Sequence, residues 1–494
     1  MVQSILIVGG GSSGWITANL LNTYVKRSGR DIRITLVESP DIPTIGVGEA
    51  TVPSIRRTFN TIGIGEADIM NASEASFKTL IRFINWQGTN DAYDHPFDRR
   101  EKPKTDAAAY NWAASNGMDF DRSFSVLSQI AEDHLAPKTA QTPQYLANFP
   151  YAYHLDAIKM AHRLAEFGKE RGINHTLGLI NKVNISPEGM ITSVETDRGD
   201  TLEADLFVDC SGFRSLLLGE AMGVGKRHFS DKLLCDSAVT MRVPYDVHKP
   251  DHLLNYTKAT AQDAGWIWDI NLQSRRGVGY VYSSAFQSKD QAEARLRAYE
   301  GAHSDDIDVR HIPFTSSKRT VSWKNNCVAI GLSDGFLEPL ESSGLYLIEI
   351  GAMALGIMLE DYIHSPQAAI NHFNTITSDL FDEILSFVNL HYVISKRRDT
   401  PFWQAATAPE AIVDDLKDRI EIWKQRSPIP LDFMNAQRLF GQDSFEFILH
   451  GMKWTDRPLR QTPQKPDLSM LSNRARKEFP PHAAYLSAQK SQRS

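Results

Sequence analysis

Ser4-Ile5-Leu6-Ile7-Val8-Gly9-Gly10-Gly11-Ser12-Ser13-Gly14-Trp15 opens the chain, and its reading decides the fold. The apolar run Ser4 to Val8 is a short strand, the glycines are a turn, and Trp15 to Val25 has helical spacing. Ile32 to Val37 is a second strand, ending at Glu38. A strand, a Gly9-x-Gly11-x-x-Gly14 turn, a helix and an acid closing the next strand together make a dinucleotide-binding unit. The glycines permit a tight turn and close backbone approach to a pyrophosphate, which the helix N-terminus attracts. Glu38 can accept from ribose hydroxyls, so Gly9, Gly10, Gly11, Ser12, Ser13, Gly14 and Glu38 are the expected cofactor-binding residues. Gly10, Ser12 and Gly14 also satisfy the G-x-S-x-G pattern of hydrolases. An elbow serine normally follows several strands of its sheet, whereas this one follows the first.

Outward from this unit, residues 39–60 are rich in Pro, Gly and Thr and read as an extended loop. Residues 87–125 read as a long functional excursion. A helix is expected from about Leu155 to Arg171, then strands and turns from Asn174 to Val208. Residues 234–285 alternate apolar and polar, which predicts a second, antiparallel sheet. Val328 to Gly331 is another buried strand, and from about Asp361 the chain is mostly helical. The tail from about Ser472, rich in Lys, Arg, Gln, Ser and Pro, reads as mobile.

With 494 residues the chain can bury a large core. Its 60 acidic against 53 basic residues, a formal charge of −7, argue against a nucleic-acid partner. The three cysteines, Cys210, Cys235 and Cys327, are far apart and form neither a disulfide framework nor a metal pattern, which favours a reducing cytoplasm. Ile5 to Val8 runs straight into glycines without a preceding basic region, so it reads as a strand and not a leader. The longest apolar run, Ile350 to Leu359, is too short to span a bilayer, and no membrane partner is expected.

A second stretch carries chemistry. Gly335-Phe336-Leu337-Glu338-Pro339-Leu340-Glu341-Ser342-Ser343-Gly344 joins a Gly/Pro turn to a helix expected over Leu345 to Ile363, whose N-terminus can hold a small anion. Asp205 to Gly212 and Val328 to Gly335 resemble segments that flavoprotein monooxygenases place beside FAD. Gly46/Gly48, Gly223/Gly225 and Gly277/Gly279 each lack the third glycine of a nicotinamide site. Gly46-Val47-Gly48-Glu49-Ala50-Thr51-Val52-Pro53, Ser76-Phe77-Lys78, Trp266-Ile267-Trp268-Asp269-Ile270-Asn271, the Phe336/Pro339/Ser342/Gly344 spacing and Thr400-Pro401-Phe402-Trp403 together resemble the flavin-dependent halogenases, the group that includes the tryptophan halogenases. The resemblance covers roughly residues 4–460. Asn271 stands where that family's W-x-W-x-I-P signature has proline.

The resemblance implies an α/β fold: an FAD-binding doubly wound module of the aromatic-hydroxylase type, an added antiparallel sheet and a helical C-terminal region. Residues 1–360 would form the FAD and substrate-sheet domain, its FAD module discontinuous over about 1–80, 150–225 and 315–360. Residues 361–471 would cover the substrate and 472–494 would be the mobile tail. It also implies FAD, used as FADH2 supplied by a separate NAD(P)H-dependent flavin reductase, with chloride or bromide as co-substrate. Ala50, Leu332 and Leu345 join the cofactor set, and Ser343 and Gly344 hold halide. Lys78 handles hypohalous acid, by hydrogen bonding or as a haloamine, while Glu341 accepts the ring proton or polarises the oxidant. The W-x-W pair is read as a barrier between substrate and flavin, or as purely structural. His95 and Phe97, with Trp454 opposite, would clamp a small aromatic substrate, a free indole at least as readily as tryptophan. A homodimer is left open. The rival readings are an FAD-dependent aromatic hydroxylase and a flavin-binding protein without catalysis.

Overall fold

The computed structural model describes residues 2–42, 46, 48–98, 119–245, 253–433, 439–454 and 468–491. Ser4–Val8 lies inside a six-stranded sheet, parallel to Arg33–Glu38 on one side and Leu206–Asp209 on the other. Asn174–Leu177 and Cys327–Ala329 extend it in parallel, and Trp323–Lys324 closes one edge antiparallel. The helix Ser12–Ser28 starts directly after Gly11 and stops at Gly29, whose φ of 71° suits a left-handed cap. Its buried face, including Trp15, Ile16, Leu20 and Leu21, shares one core with Leu355 of the helix Gly344–His364 and Leu164 of the helix Ala157–Glu170. This is the doubly wound module expected from the opening motif.

A second sheet has seven strands in the order Val309–Pro313, Ser237–Pro244, Arg275–Tyr282, Gly265–Asn271, Thr257–Gln262, Leu80–Ile84, Ala92–Pro96. It is antiparallel except where Leu80–Ile84 runs parallel to Thr257–Gln262. A third sheet of three short strands places Ala152–Asp156 between Gly48–Ala50 and Ser76–Lys78. Lys78 ends that edge strand, and only Thr79 separates it from the seven-stranded sheet. The lysine therefore sits at the seam of two sheets, the kind of rigid support a reactive group requires. Phe83, Trp86, Trp266 and Trp268 form one core with Phe387, Tyr392, Trp403 and Trp423 of the helical region.

Two expectations are corrected. Residues 39–60 are not one extended loop: they contain the strand Gly48–Ala50 and the start of the helix Ser54–Ile62. That helix was hidden by the prolines and glycines before it, but its apolar positions Ile55, Phe59 and Ile62 are all buried. The C-terminal tail is not a free strand of polar chain either. Ser469–Glu478 and His482–Ser491 are helices, and Ala475, Phe479, Tyr485 and Leu486 are buried against the body. A few apolar residues anchor each helix while others, such as Met470, stay exposed, a signal that composition averages away. Among the described residues no helix is long and apolar enough to cross a membrane. The expected excursion is described at Ala92–Pro96 and Phe120–Phe124; residues 99–118 lie outside the described set.

Candidate active site

A cavity of about 490 Å³ lies at the C-terminal ends of the parallel strands, where doubly wound sheets bind their ligands. Gly9, Gly10, Gly11, Ser12, Ser13, Glu38, Ala50, Leu332, Ser343, Gly344 and Leu345 all line it. Gly14 does not; it serves packing, since a Cβ there would lie 1.8 Å from the Gly9 carbonyl oxygen. A Cβ on Gly10 would lie 1.7 Å from Glu38 Oε2, and Gly9 has φ +113° with the Cys210 carbonyl where its Cβ would stand. The first helical turn has no side-chain cap, so its N–H groups face the cavity available to phosphate. Glu38 Oε1 lies 2.8 Å from His175 Nε2, and the Ser13 hydroxyl is spent on the Ile330 carbonyl at 2.8 Å. A cradle without side chains, a helix N-terminus and a strand-end acid fit a dinucleotide such as FAD.

Trp266, Trp268 and Ile270, alternate residues of one strand, face the same cavity. Trp268 pairs with Gly279 on the neighbouring strand, and a Cβ at Gly279 would lie 2.2 Å from the indole. The Gly277/Gly279 pair is thus a packing feature. Trp266 Nε1 donates to Glu338 at 3.2 Å, and the Tyr392 hydroxyl donates to the same oxygen at 2.8 Å. Burial pushes the Glu338 carboxyl up to about 7 against these hydrogen bonds. Asn271, at the proline position, pairs with Arg276 in the ladder, and its carbonyl accepts from the Ser76 hydroxyl. The strand tolerates the departure because asparagine keeps the ladder amide that proline would lack.

Lys78 belongs to the second half of the site. Lys78 is fully buried. Its Nζ donates to Ser342 Oγ at 2.7 Å and to the Thr51 carbonyl at 3.2 Å, and lies 5.0 Å from the centre of the Phe97 ring. Burial pulls the ammonium down to about 7, opposed by the charge of Glu341. Lys78, Glu341 and His95 do not line the cofactor cavity, but Ser342 does. Ser342 is therefore the shared residue between cavity and lysine. Its φ of 59°, in the left-handed region, turns the backbone sharply between Glu341 and the helix. Strain of this kind is held by the surrounding structure and concentrates at functional sites.

Glu341 is 1% exposed and gripped by two histidines. His95 Nδ1 lies 2.9 and 3.1 Å from its oxygens, and His391 Nε2 lies 2.8 Å from Oε1. His391 Nδ1 is 2.8 Å from the Phe387 carbonyl, which can only accept, so that nitrogen carries a proton. Burial pushes the Glu341 carboxyl up, but the His95 charge and the histidine hydrogen bonds outweigh it and hold it at about 2.

The expected aromatic clamp is rearranged. His95 is tied to Glu341, and the rings packed on it are Phe387, at 5.5 Å, and Phe440, at 6.1 Å. Phe97 faces Lys78. Trp454 packs against the core that contains Phe387 and Phe440; its Nε1 donates to the Ile420 carbonyl at 3.1 Å, and Lys424 Nζ lies 5.0 Å over its ring. His391 went unread because it lies deep in the helix Pro366–Val393, outside any motif. Glu338 was within the quoted stretch, but nothing in its spacing distinguished it from a capping acid.

Fold and site together define a flavoprotein class in which a dinucleotide cavity is walled off from a buried lysine–carboxylate centre. Residues 4–466 match the tryptophan halogenase family. Among similar proteins, the tryptophan 6-halogenase SttH of Streptomyces toxytricini is 37% identical over 453 residues, 86% of this chain and 84% of that one. The tryptophan 7-halogenase RebH of Lentzea aerocolonigenes is 33% identical over 90% of this chain and 86% of its own. The crystal structure of a tryptophan halogenase from Shewanella frigidimarina superposes with a TM-score of 0.91 at 34% identity, covering 99% of this chain and 97% of that one. The chain belongs to the tryptophan halogenase family of flavin-dependent halogenases.

Proposed function

We propose that the protein is a two-component, FADH2-dependent halogenase of a free electron-rich aromatic, an indole by preference. The observation that carries this reading is the buried Lys78, screened from the cofactor cavity yet joined to it through Ser342. Bound reduced flavin, with dioxygen and chloride or bromide, would supply hypohalous acid. The backbone N–H groups of Ser343 and Gly344, at the start of a 21-residue helix, would hold the halide. Ser342 lies on the route from cavity to lysine.

At the lysine, the Lys78 ammonium donates to the oxygen of hypohalous acid and polarises the halogen. The aromatic carbon forms its bond to halogen as the halogen–oxygen bond breaks, and the departing hydroxide takes a proton from Lys78 and leaves as water. Glu341 accepts the ring proton and returns it to the lysine. A lysine near 7 can give and regain a proton in neutral solution, as this cycle needs. His95 and His391 keep Glu341 ionised and fixed. The wall of Trp266 and Trp268 keeps the aromatic substrate from the cofactor, which favours halogenation over hydroxylation.

The relatives named as tryptophan halogenases support an indole ring. The rings at hand, Phe97, Phe387 and Phe440, suit a flat aromatic. A charged amino-acid head group would need buried partners of its own. One dinucleotide unit in the chain supports a separate flavin reductase. The test is mass spectrometry on indoles, phenols and pyrroles incubated with FAD, a flavin reductase, NADH and either halide. Halogenated indole supports the reading; hydroxylated product, or none, rejects it. A kcat/KM for tryptophan about a hundredfold above that for indole, some 3 kcal/mol of discrimination, would reject the substrate half.

A further inference from the structure

We propose that the C-terminal helix His482–Ser491 positions Lys78, acting through His482 on the strand residue Phe77. This rests on the role assigned to Lys78 above. The match to the family ends at residue 466, ahead of this helix. His482 is 1% exposed and uses both ring nitrogens. The Phe77 amide donates to Nε2 at 3.1 Å, and Nδ1 lies 3.1 Å from the Leu253 carbonyl, to which it must donate. One neutral tautomer satisfies both bonds.

The position of Phe77 gives this contact its consequence. Ser76–Lys78 is an edge strand, and its outward amide at Phe77 has His482 in place of a neighbouring strand. Its ring packs on His482 and Tyr485, at 5.7 and 5.1 Å. Successive strand residues point to opposite faces, so seating Phe77 on the tail sets the direction in which Lys78 leaves the strand. The tail is itself held: the Ala136 amide donates to the Pro480 carbonyl at 2.9 Å, the His482 amide to the His134 carbonyl at 2.8 Å, and Arg476 pairs with Asp133 at 2.7 Å. His482 touches neither substrate nor cofactor cavity; it is a positioning residue.

The experiment compares wild type, His482→Leu and His482→Gln in the full chain, reading halogenated indole formed per O2 consumed alongside FAD affinity and thermal midpoint. Leucine fills the space but leaves the Phe77 amide and Leu253 carbonyl unpaired. Glutamine can accept from one and donate to the other. We expect His482→Leu to lower product per O2 by about tenfold, the cost of a small misplacement of a reacting group, with FAD affinity unchanged. We expect His482→Gln to recover most of the loss. Tyr485→Ala, which removes the ring against Phe77 and keeps both hydrogen bonds, is read in the same way if the leucine variant does not fold. Wild-type coupling in the Leu or Ala variant, a Gln variant as poor as Leu, or FAD affinity falling in step would each overturn the proposal. Absence of halogenated product from wild type would instead overturn the reading of Lys78 on which it rests.

Discussion

Lys78 is placed at a cost to stability. A buried ammonium whose hydrogen bonds go to a hydroxyl and a carbonyl has lost its hydration, and burial lowers its proton affinity to about 7. Lys78→Met should therefore abolish halogenation and yet stabilise the fold at neutral pH, by on the order of a few kcal/mol, since each unit by which burial lowers the ammonium costs about 1.4 kcal/mol. The sign of its pH dependence follows from linkage. Between about 7 and the ordinary lysine value of 10.5 the unfolded chain binds more protons than the folded one, so wild-type stability rises with pH there. The advantage of Lys78→Met should be largest below pH 7 and shrink above it, read by urea denaturation at about pH 6.5 and about pH 9. A methionine variant less stable than wild type at both pH values would contradict this account. At this scale Lys78, Glu341, Ser343 and Gly344 could be singled out in the sequence because they stand in spaced motifs. His391 was illegible: its partnership with Glu341 is made by a helix fifty residues on, and local spacing carries no trace of it.

Among the elements, the helix Gly344–His364 does two tasks. Its N-terminus faces the cofactor cavity, and its second turn carries Glu349, buried against the helix that follows the Gly48–Ala50 strand. Glu349 accepts from the hydroxyls of Ser54, at 3.1 Å, and Thr58. Burial raises its carboxyl to about 7. From the ordinary value of 4.5 up to about 7 the folded chain binds the extra proton, so this group's contribution to stability falls as pH rises through that window. Glu349→Gln should then be more stable than wild type at pH 8, by on the order of 2–3 kcal/mol for a shift of this size, and no more stable at pH 4.5. Equal thermal midpoints at pH 8 would contradict the assignment. The strand–turn–helix at Gly9 to Gly14 and the helix after Gly344 were readable because glycine spacing and apolar runs are local. The helix Ser54–Ile62 was missed because Pro and Gly in the preceding segment dominated the reading, although Ile55, Phe59 and Ile62 have helical spacing.

On the proposed function, the whole molecule divides the chemistry between the cavity that Trp266 and Trp268 line and the lysine site, which meet at Ser342. The doubly wound sheet builds the cofactor cavity, while the seam between two other sheets builds the lysine site. The helical region supplies His391 and Phe387 from outside both. The opening motif foretold the first compartment. The second depends on contacts across hundreds of residues, such as Lys78 to Ser342, which a single sequence does not contain. A Val at Gly10 should strike Glu38 and abolish FAD binding in equilibrium dialysis, without altering the lysine site. Tight FAD binding by that variant would misplace the cofactor. The central claim is that oxidant made in one compartment is used at Lys78 in the other. Its most direct measurement follows, in Lys78→Ala beside wild type, both the oxidation of bound reduced FAD and the formation of halogenated indole. The account predicts unchanged flavin oxidation with product formation reduced by more than about tenfold. Product from the alanine variant at a rate above roughly a tenth of wild type would contradict it.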